Sequence, residues 1–310
     1  MRRAGAPPGD LRGDLRGDRP LLGVLLMLGF CALAPVADAL AKELSQRVGL
    51  FQILGLRFAV QTALLAPLAL AAGIPLALRG RTLALTALRG ALHLAGVAAM
   101  VLALRRMPLA DAVAIAFVMP FLVLLLGRLV LGEPVGRRRL AACAVGFLGT
   151  LLVVQPSFVA VGAAALLPLA VALIFALFML TTRMIARDAD PIAIQTVSGV
   201  FALGLMAPPL LLADPVRWPD LALGAPAAGD WALLAAMGAV GTLAHLLMTW
   251  SLRFAPSTIL APLQYVELPF AALVGFLAFG DLPDGLAAPG IAVTMGAGLA
   301  VLRSERRAAG

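Results

Sequence analysis

One carboxylate, Glu267, lies inside an apolar stretch of the sequence that offers it no obvious partner. It is ten residues into the run at positions 257–279, which at about 1.5 Å per helical residue is roughly 15 Å deep, the middle of a bilayer. An ionisable side chain there costs about 2.5–3.5 kcal/mol even on lenient insertion scales. We expect Glu267 to face a polar ligand or to bind and release a proton. The alternative is a protonated Glu267 that is hydrogen-bonded between helices.

Neighbours of Glu267 extend this polar group. Gln264 supplies an amide and Tyr265 a phenol. Pro269 lacks a backbone N–H, which frees a carbonyl one turn earlier for other partners, and Pro120 interrupts another apolar run in the same way. We therefore expect helix kinks at Pro120 and Pro269.

The two histidines, His93 and His245, fall in the middle of two other apolar runs. Imidazole donates, accepts or binds a proton near neutral pH, so a pair beside a cavity would orient a substrate carboxylate or relay protons. A single interhelical hydrogen bond for each neutral ring is the alternative. No third His, Cys or carboxylate stands a helical turn from either residue, so neither a metal site nor a cofactor is expected.

Arg57 and Asp38 are further charges inside apolar runs. A guanidinium stays charged in proteins, so Arg57 needs a partner, for which Asp38 is a candidate, or it must snorkel to the interface. Both are candidates for the substrate pathway. Trp250 is either an interfacial anchor or a cavity wall that stacks on a flat ligand.

The surrounding chain cannot fold as a soluble globule. Of its 310 residues, 62% are hydrophobic and 13% are charged, against about 45–50% apolar and about 25% charged in soluble proteins. A sizeable soluble catalytic or nucleic-acid-binding domain is therefore excluded, and nucleic acid is not an expected partner. Cys31 and Cys143 lie far apart in apolar runs, so no disulfide framework is available.

The apolar runs predict an all-α polytopic membrane protein with ten transmembrane helices, since none alternates polar and apolar residues as a barrel strand would. The predicted spans are 21–41, 49–73, 86–104, 109–131, 138–155, 160–182, 191–213, 230–252, 257–279 and 286–302.

Positive charge predicts the orientation of these spans. With the amino terminus inside, 18 of the 24 Lys and Arg residues fall on the cytoplasmic side, Arg89 among them, and five fall outside. We expect an inner-membrane protein with both termini in the cytoplasm, as a basic tail at 1–20 and a short tail at 304–310.

A duplication divides the chain into 21–157 and 158–303. Each part contains five predicted spans, and an odd number makes the second part enter the membrane the other way up. We therefore predict two inverted five-helix repeats, with Glu133 and Asp281 as gates or caps at opposite faces. The motifs that recur at an offset of 148 residues are Arg105-x-x-Pro108 with Arg253-x-x-Pro256, and Gly132-Glu133 with Gly280-Asp281.

Two stretches carry a resemblance to a known family. ALRRMPLADAVAIAFVMPFLVLLLGRLVLGEPVG (103–136), followed by GFLGTLLVVQPS, resembles the EamA domain of the drug/metabolite transporter superfamily. APSTILAPLQYVELPFAALVGFLAFGD (255–281) resembles a span of a second such domain, although it ends in Gly-Asp where the family more often has Gly-Glu. The resemblance implies a ten-helix inner-membrane carrier of small metabolites, often an exporter of amino acids or related compounds.

A secondary transporter is the leading functional hypothesis, with substrate bound at the midplane between repeats that rock to alternate access. The alternative is a facilitator or importer of a nucleoside-, vitamin- or amine-like metabolite. A channel is less well supported because no ring of like charges appears. An intramembrane enzyme is less well supported because the candidate nucleophiles Ser198, Ser251 and Ser257 have no convincing His or Lys neighbour in the sequence. The expected partners are a small-molecule substrate and the lipid bilayer, with protons as a candidate coupling ion.

Overall fold

The computed structural model describes residues 19–212, 219–221 and 223–281, together with 289–290, 292–293 and 296–297. Every regular element in this part of the chain is helical. Turns of 3-10 helix lie at Gly162–Ala165, Pro219–Leu221 and Ala261–Val266. The α-helices are α1 (Pro20–Ser45), α2 (Leu50–Ala71), α3 (Gly80–Leu104), α4 (Leu109–Ala116), α5 (Met119–Leu131), α6 (Arg137–Val161), α7 (Leu166–Ile185), α8 (Pro191–Leu212), α9 (Ala228–Phe254), α10 (Ser257–Leu260) and α11 (Glu267–Phe279).

Eight segments of the described chain are long and apolar enough to cross a membrane, which confirms a polytopic all-helical fold. They are α1, α2, α3, α4 with α5, α7 with the turn before it, α8, α9, and the segment from α10 to α11. The predicted span 138–155 forms α6, whose apolar part is the shorter Leu140–Thr150. The predicted span 286–302 and the two tails lie wholly or mostly outside the described residues, so a total of ten spans stays a prediction.

Large apolar side chains cover the outside of the bundle. Leu70, Leu129 and Leu277 are 70–72% exposed, and many other leucines and valines are more than a third exposed. Water would penalise so much apolar surface, whereas lipid does not. Polar side chains such as Arg89, Gln195 and Gln264 lie fully buried inside instead.

Two of the spanning segments are interrupted, and a proline follows each interruption. α4 ends at Ala116 and α5 begins at Met119, directly before Pro120. The later segment runs as a 3-10 turn from Ala261 to Val266 and becomes α-helical at Glu267, two residues before Pro269. Pro120 and Pro269 each lie in the first turn of the helix that follows the interruption, where the N–H that proline lacks would have no partner within the helix.

The motifs that recur in the sequence also adopt the same local structure. Pro108 and Pro256 each precede a helix with extended backbone angles, ψ 151° and 144°. Gly132 and Gly280 each end a helix in the left-handed conformation, with φ +66° and +71°, which glycine adopts without a steric penalty. The helices also pair reciprocally, because α1 packs along α9, α3 along α7, and α2 along α8.

Candidate functional site

A cavity opens inside the bundle at the end where α1 and α3 finish and where α2, α4, α7 and α9 begin. It contains about 850 Å³ of empty space, a figure that includes the open solvent at its mouth. Apolar side chains form most of the wall, with Phe30, Phe117 and Phe175 as its aromatic members. The ionisable lining residues are Asp38, Arg57, His245 and Glu267.

Glu267 is the first residue of α11 and is 7% exposed. Its carboxylate lines the cavity and forms no hydrogen bond or ion pair with any residue that the structure describes. A buried carboxylate without a partner is costly, and a bound cation or a proton removes that cost. Its position at a helix break in the wall of a cavity makes it accessible to either one.

Arg57, in α2, is 4% exposed and reaches the cavity wall. Its Nη2 lies 3.4 Å from His93 Nε2, while its Nη1 is buried and has no hydrogen-bond partner among the described residues. A guanidinium only donates, so Nε2 of His93 must accept and the proton of the neutral ring is on Nδ1, which is also unpartnered. The space for the guanidinium comes from Gly241 of α9, where a Cβ would lie 2.6 Å from Cζ of Arg57.

Asp38, in α1, lines the same cavity and is only partly buried. The sequence offered it as the partner of Arg57. The two side chains are close enough to interact electrostatically, yet among the described residues no ion pair within 4 Å involves either of them. The cavity therefore holds separated charges of both signs.

The two histidines meet behind the cavity. The ring centroids of His93 and His245 are 4.2 Å apart, with planes at 62°. His245 lines the cavity, whereas His93 lies one layer deeper, against Phe58 and Phe178. The repeats thus contribute one imidazole each to a single aromatic layer, and Nδ1 of both rings is buried without a partner in the part of the chain that the structure describes.

The position of Arg89 corrects the number of cations that the sequence placed on the cytoplasmic side. The sequence counted it with the cytoplasmic cations, at the start of the predicted span 86–104, whereas α3 begins at Gly80 and Arg89 is 0% exposed inside the bundle. Extending the predicted span back to Leu83 would have placed Arg89 well inside the membrane. Its four hydrogen bonds, of 2.7–3.0 Å, go to neutral side chains of three other helices, and its guanidinium lies 4.5 Å from the Phe178 ring. The partners are Thr182, Gln195, Ser198 and Thr249.

Three other residues singled out in the sequence do not line the cavity. Gln264 is fully buried, with Nε2 3.0 Å from Sδ of Met179. Tyr265 donates its hydroxyl to the carbonyl of Cys143 at 3.3 Å and packs against Gly146. Trp250 is partly exposed in α9.

A charged network closes the bundle end opposite the cavity mouth. Glu133, just after α5, accepts from Nε of Arg183 at 3.0 Å and from Oγ of Ser257 at 2.7 Å. It also accepts from the backbone N–H groups of Ser257 and Thr258, at 3.2 and 3.0 Å. The counterpart of Glu133 in the other repeat, Asp281, pairs with Lys42 at 2.8 Å at the cavity end.

Comparison with known proteins identifies the family. The EamA-like transporter family matches residues 21–155 and again residues 162–303. The chain belongs to the EamA-like transporter family. The resemblance noted in the sequence is thereby confirmed, and this EamA protein is a membrane transporter.

Several relatives of this EamA protein carry names of metabolite transporters. A riboflavin transporter of Rhizobium johnstonii is 32% identical over 68% of this chain and 68% of its own. The pseudopaline exporter CntI of Pseudomonas aeruginosa is 30% identical over 94% of this chain and 99% of its own. An S-adenosylmethionine uptake transporter of Rickettsia prowazekii is 22% identical over 93% and 94%. Relatives thus include both uptake transporters and an exporter of small metabolites.

The fold also recurs among solved structures. One protein crystal structure matches with a TM-score of 0.67 at 21% identity, covering 93% of this chain and 97% of that chain. At that identity the match establishes a shared fold and nothing finer.

Proposed function

We propose that this protein is a secondary transporter that binds a small metabolite in the cavity between its repeats and releases it on the other side of the inner membrane. The observation that carries the proposal is the pair of buried, unpartnered charges in one cavity, Nη1 of Arg57 and the carboxylate of Glu267. Burial without partners is too costly for side chains that only stabilise the fold. A transported ligand provides the missing partners.

The two repeats are proposed to have inverted topology, with both termini in the cytoplasm. The reciprocal packing of α1 with α9 and of α3 with α7 supports a twofold relation between the repeats. Without Arg89, which lies inside the bundle, the arginine and lysine bias still favours a cytoplasmic amino terminus. This topology makes the cavity mouth periplasmic and the Glu133 network cytoplasmic.

Alternating access then needs the two ends of the bundle to close in turn. With this topology we assign the structure to an outward-facing state, in which the Glu133–Arg183 pair and the Ser257 contacts would close the inner end. The pairs Lys42–Asp281 and Arg47–Asp230 lie at the outer end, where they would close the cavity after substrate enters or before it leaves. Glu133 and Asp281 are accordingly proposed as gates.

The direction of transport is proposed as export of amino acids or related compounds. The exporter relative, matched over 94% of this chain, supports export. The riboflavin and S-adenosylmethionine transporters keep uptake of a vitamin- or nucleoside-like metabolite as the alternative.

Counterflow in liposomes tests transport directly. Purified protein in vesicles preloaded with one unlabelled metabolite should concentrate the same labelled metabolite transiently, in a saturable manner. Glu267→Gln retains shape and hydrogen bonding but removes the charge, so it should insert normally and lose most of the flux. The matched control is Glu43→Gln, because Glu43 is 49% exposed outside the cavity. Wild-type flux in Glu267→Gln at equal abundance contradicts the assignment.

Proton coupling is proposed for Glu267 together with His93 and His245. An inward-directed or outward-directed proton gradient should then drive accumulation above equilibrium, and Glu267→Gln should abolish accumulation while sparing exchange. A solute that never exceeds its equilibrium level, without proton flux, would show a facilitator in which Glu267 is a fixed counter-charge.

A further inference from the structure

We propose that Arg89 and the hydroxyl groups around it line the cavity of the inward-facing state, where Arg89 donates to an acceptor oxygen of the substrate. The inference rests on the proposed function, since it applies the inverted repeats to the opposite state of the same transport cycle. In the present structure Arg89 lies nine residues after the start of α3, about 14 Å from the inner end at about 1.5 Å per residue. It is 0% exposed there and does not line the cavity.

Equivalent contacts show which residues of the two repeats are counterparts. Arg105, directly after α3, donates to the carbonyl of Ser45 at the end of α1, at 3.0 Å. Arg253, at the end of α9, donates to the carbonyl of Ala189 after α7, at 3.3 Å. α3 therefore corresponds to α9 with an offset of 148 residues, and α1 corresponds to α7 with an offset of 144.

A second pair of contacts relates α2 to α8. A Cβ added at Gly90 of α3 would lie 3.3 Å from Cβ of Phe201 in α8. Its counterpart in α9, Gly238, packs on Val60 of α2, where the added Cβ would lie 2.6 Å from Cβ of Val60. Val60 and Phe201 are 141 residues apart, and α2 and α8 have the same length and begin at the same offset.

These offsets relate the Arg89 cluster to the wall of the present cavity. Three of the four side chains that accept from Arg89 are counterparts of residues that line this cavity. They are Thr182, Ser198 and Thr249, which correspond to Asp38, Arg57 and Val101. Arg89 itself corresponds to Met237, another lining residue. Inverted repeats give the two ends of the bundle the same construction, so the counterparts of the present wall would form the wall when the inner end opens.

The same relation accounts for two residues that do not reach the present cavity. The recurring motifs extend the offset of 148 residues to the segment from α10 to α11, so Gln264 and Tyr265 correspond to Ala116 and Phe117, which line the cavity. Oε1 of Gln264 is buried without a hydrogen-bond partner among the described residues. Opening of the inner end would make this acceptor accessible to a ligand, together with the donors of Arg89.

The surroundings of Arg89 suit a guanidinium that is sealed in one state and exposed in the other. Hydroxyl and amide oxygens satisfy its nitrogens at 2.7–3.0 Å, and the Phe178 ring lies 4.5 Å from it. None of these partners neutralises the charge, whereas a carboxylate would hold it in a strong ion pair. A guanidinium has only donors, so the group that it would bind is an acceptor oxygen of a carboxylate, a phosphate or a carbonyl.

Labelling of a cysteine beside Arg89 tests its exposure in the transporting protein. Ser198→Cys and Thr182→Cys are made separately in a chain whose two native cysteines are replaced with alanine. A membrane-impermeant methanethiosulfonate reagent is applied to vesicles of either orientation, and counterflow is measured on the same vesicles. We expect both cysteines to react from the cytoplasmic side only. Ser251→Cys is the matched control, because Ser251 is 0% exposed nearer the inner end and its counterpart Ala103 does not line the cavity.

A disulfide across the inner end links this exposure to the transport cycle. A Cβ at Gly127 would lie 2.7 Å from Oγ of Ser257, so cysteines at these two positions are close enough to be oxidised to a disulfide. The disulfide should stop counterflow and prevent the reaction of Ser198→Cys. Reduction with dithiothreitol should restore both, and mass spectrometry identifies the labelled positions.

The charge of the reagent tests the guanidinium itself. The rate with the anionic sulfonatoethyl reagent is divided by the rate with the cationic trimethylammonioethyl reagent. At Ser198→Cys this ratio should exceed that of a small thiol in solution by at least about tenfold, the effect of one charge about 6 Å away at an effective dielectric constant of about 40. Arg89→Gln should remove the excess and Arg89→Lys should retain it. Arg81→Gln, at a position 64% exposed, is the control for loss of an arginine.

Two results overturn the inference. One is the absence of cytoplasmic labelling at both reporter cysteines while counterflow continues. The other is a rate ratio at Ser198→Cys equal to that of the thiol in solution, a comparison that needs no Arg89 variant to fold. Either result leaves transport itself in place, whereas failure of the unmodified protein in counterflow contradicts the proposed function, so the two proposals fail separately.

Discussion

Replacing Gly241 with alanine should displace the Arg57 guanidinium without unfolding the protein. A Cβ at position 241 would lie 2.6 Å from Cζ and 2.9 Å from Nη2 of Arg57, whereas ordinary contacts begin at about 3.4 Å. Nη1 of Arg57 would lie closer still, so the guanidinium must move by more than about 1 Å. It can do so because it is the end of a flexible side chain, so the movement costs the fold little.

The expected consequence is a loss of substrate affinity with unchanged or improved stability. Alanine in a helix interior is favoured over glycine by roughly 0.5–1 kcal/mol, so the substitution should stabilise α9 itself. Misplacing a binding group by about 1 Å can cost up to about 100-fold in rate, and losing one charge-assisted hydrogen bond costs about 10- to 100-fold in affinity. We expect KM for counterflow to rise at least about tenfold.

The assay combines KM from counterflow with the melting temperature of the purified protein. Gly204→Ala is the matched control, because it makes the same change in α8, where no described residue lies within 4 Å of the added methyl group. A wild-type KM in Gly241→Ala would refute the role of Arg57. A lowered melting temperature in Gly241→Ala would refute the claim that the guanidinium moves at little cost to the stability of the fold.

Three further predictions concern the rest of the bundle. Glu133→Ala removes the acceptor of the first amides of α10, so their hydrogen exchange should accelerate by about 10- to 100-fold, an effect that Asp188→Ala at the exposed surface should not produce. Arg89→Met should lower the melting temperature and transport together, since it leaves Oε1 of Gln195 without its guanidinium donor; an unchanged melting temperature would contradict this. A cysteine introduced at the exposed Ala77 should label only from the cytoplasm, and one at the exposed Ala225 only from the periplasm. The native cysteines are buried and should not label. The reverse pattern would overturn the topology.

Local signals in the sequence were enough to locate the spans and several cavity residues. An apolar run long enough to cross lipid has few alternatives to helix, so the predicted ends of α2, α4 with α5, and α9 differ from the observed ends by only a few residues. An ionisable residue within such a run needs a reason to be there. That rule selected Asp38, Arg57, His245 and Glu267, which line one cavity.

Closeness to Glu267 in the sequence did not place Tyr265 at the cavity, because the direction of a side chain decides whether it reaches the cavity. Tyr265 is two residues from Glu267, which in a helix places it roughly 200–240° around the axis. It therefore contacts Cys143 and Gly146 of α6 rather than the cavity. The position of Arg57 depends on a distant residue. Gly241, nearly two hundred residues away, leaves the space that the guanidinium occupies, and no local sequence pattern predicts that contact.

Arg89 shows why the electrostatics of the site needed the three-dimensional structure. A buried guanidinium is costly unless its nitrogens are hydrogen-bonded, and here hydroxyl and amide groups from α7, α8 and α9 accept from all three nitrogens of Arg89 without contributing charge. The middle of the bundle thus contains two guanidinium groups, Arg57 and Arg89, and two carboxylates, Asp38 and Glu267. With both carboxylates ionised these charges balance. A lone cation or anion would leave one uncompensated charge in a low-dielectric interior, which is the most expensive state available to it.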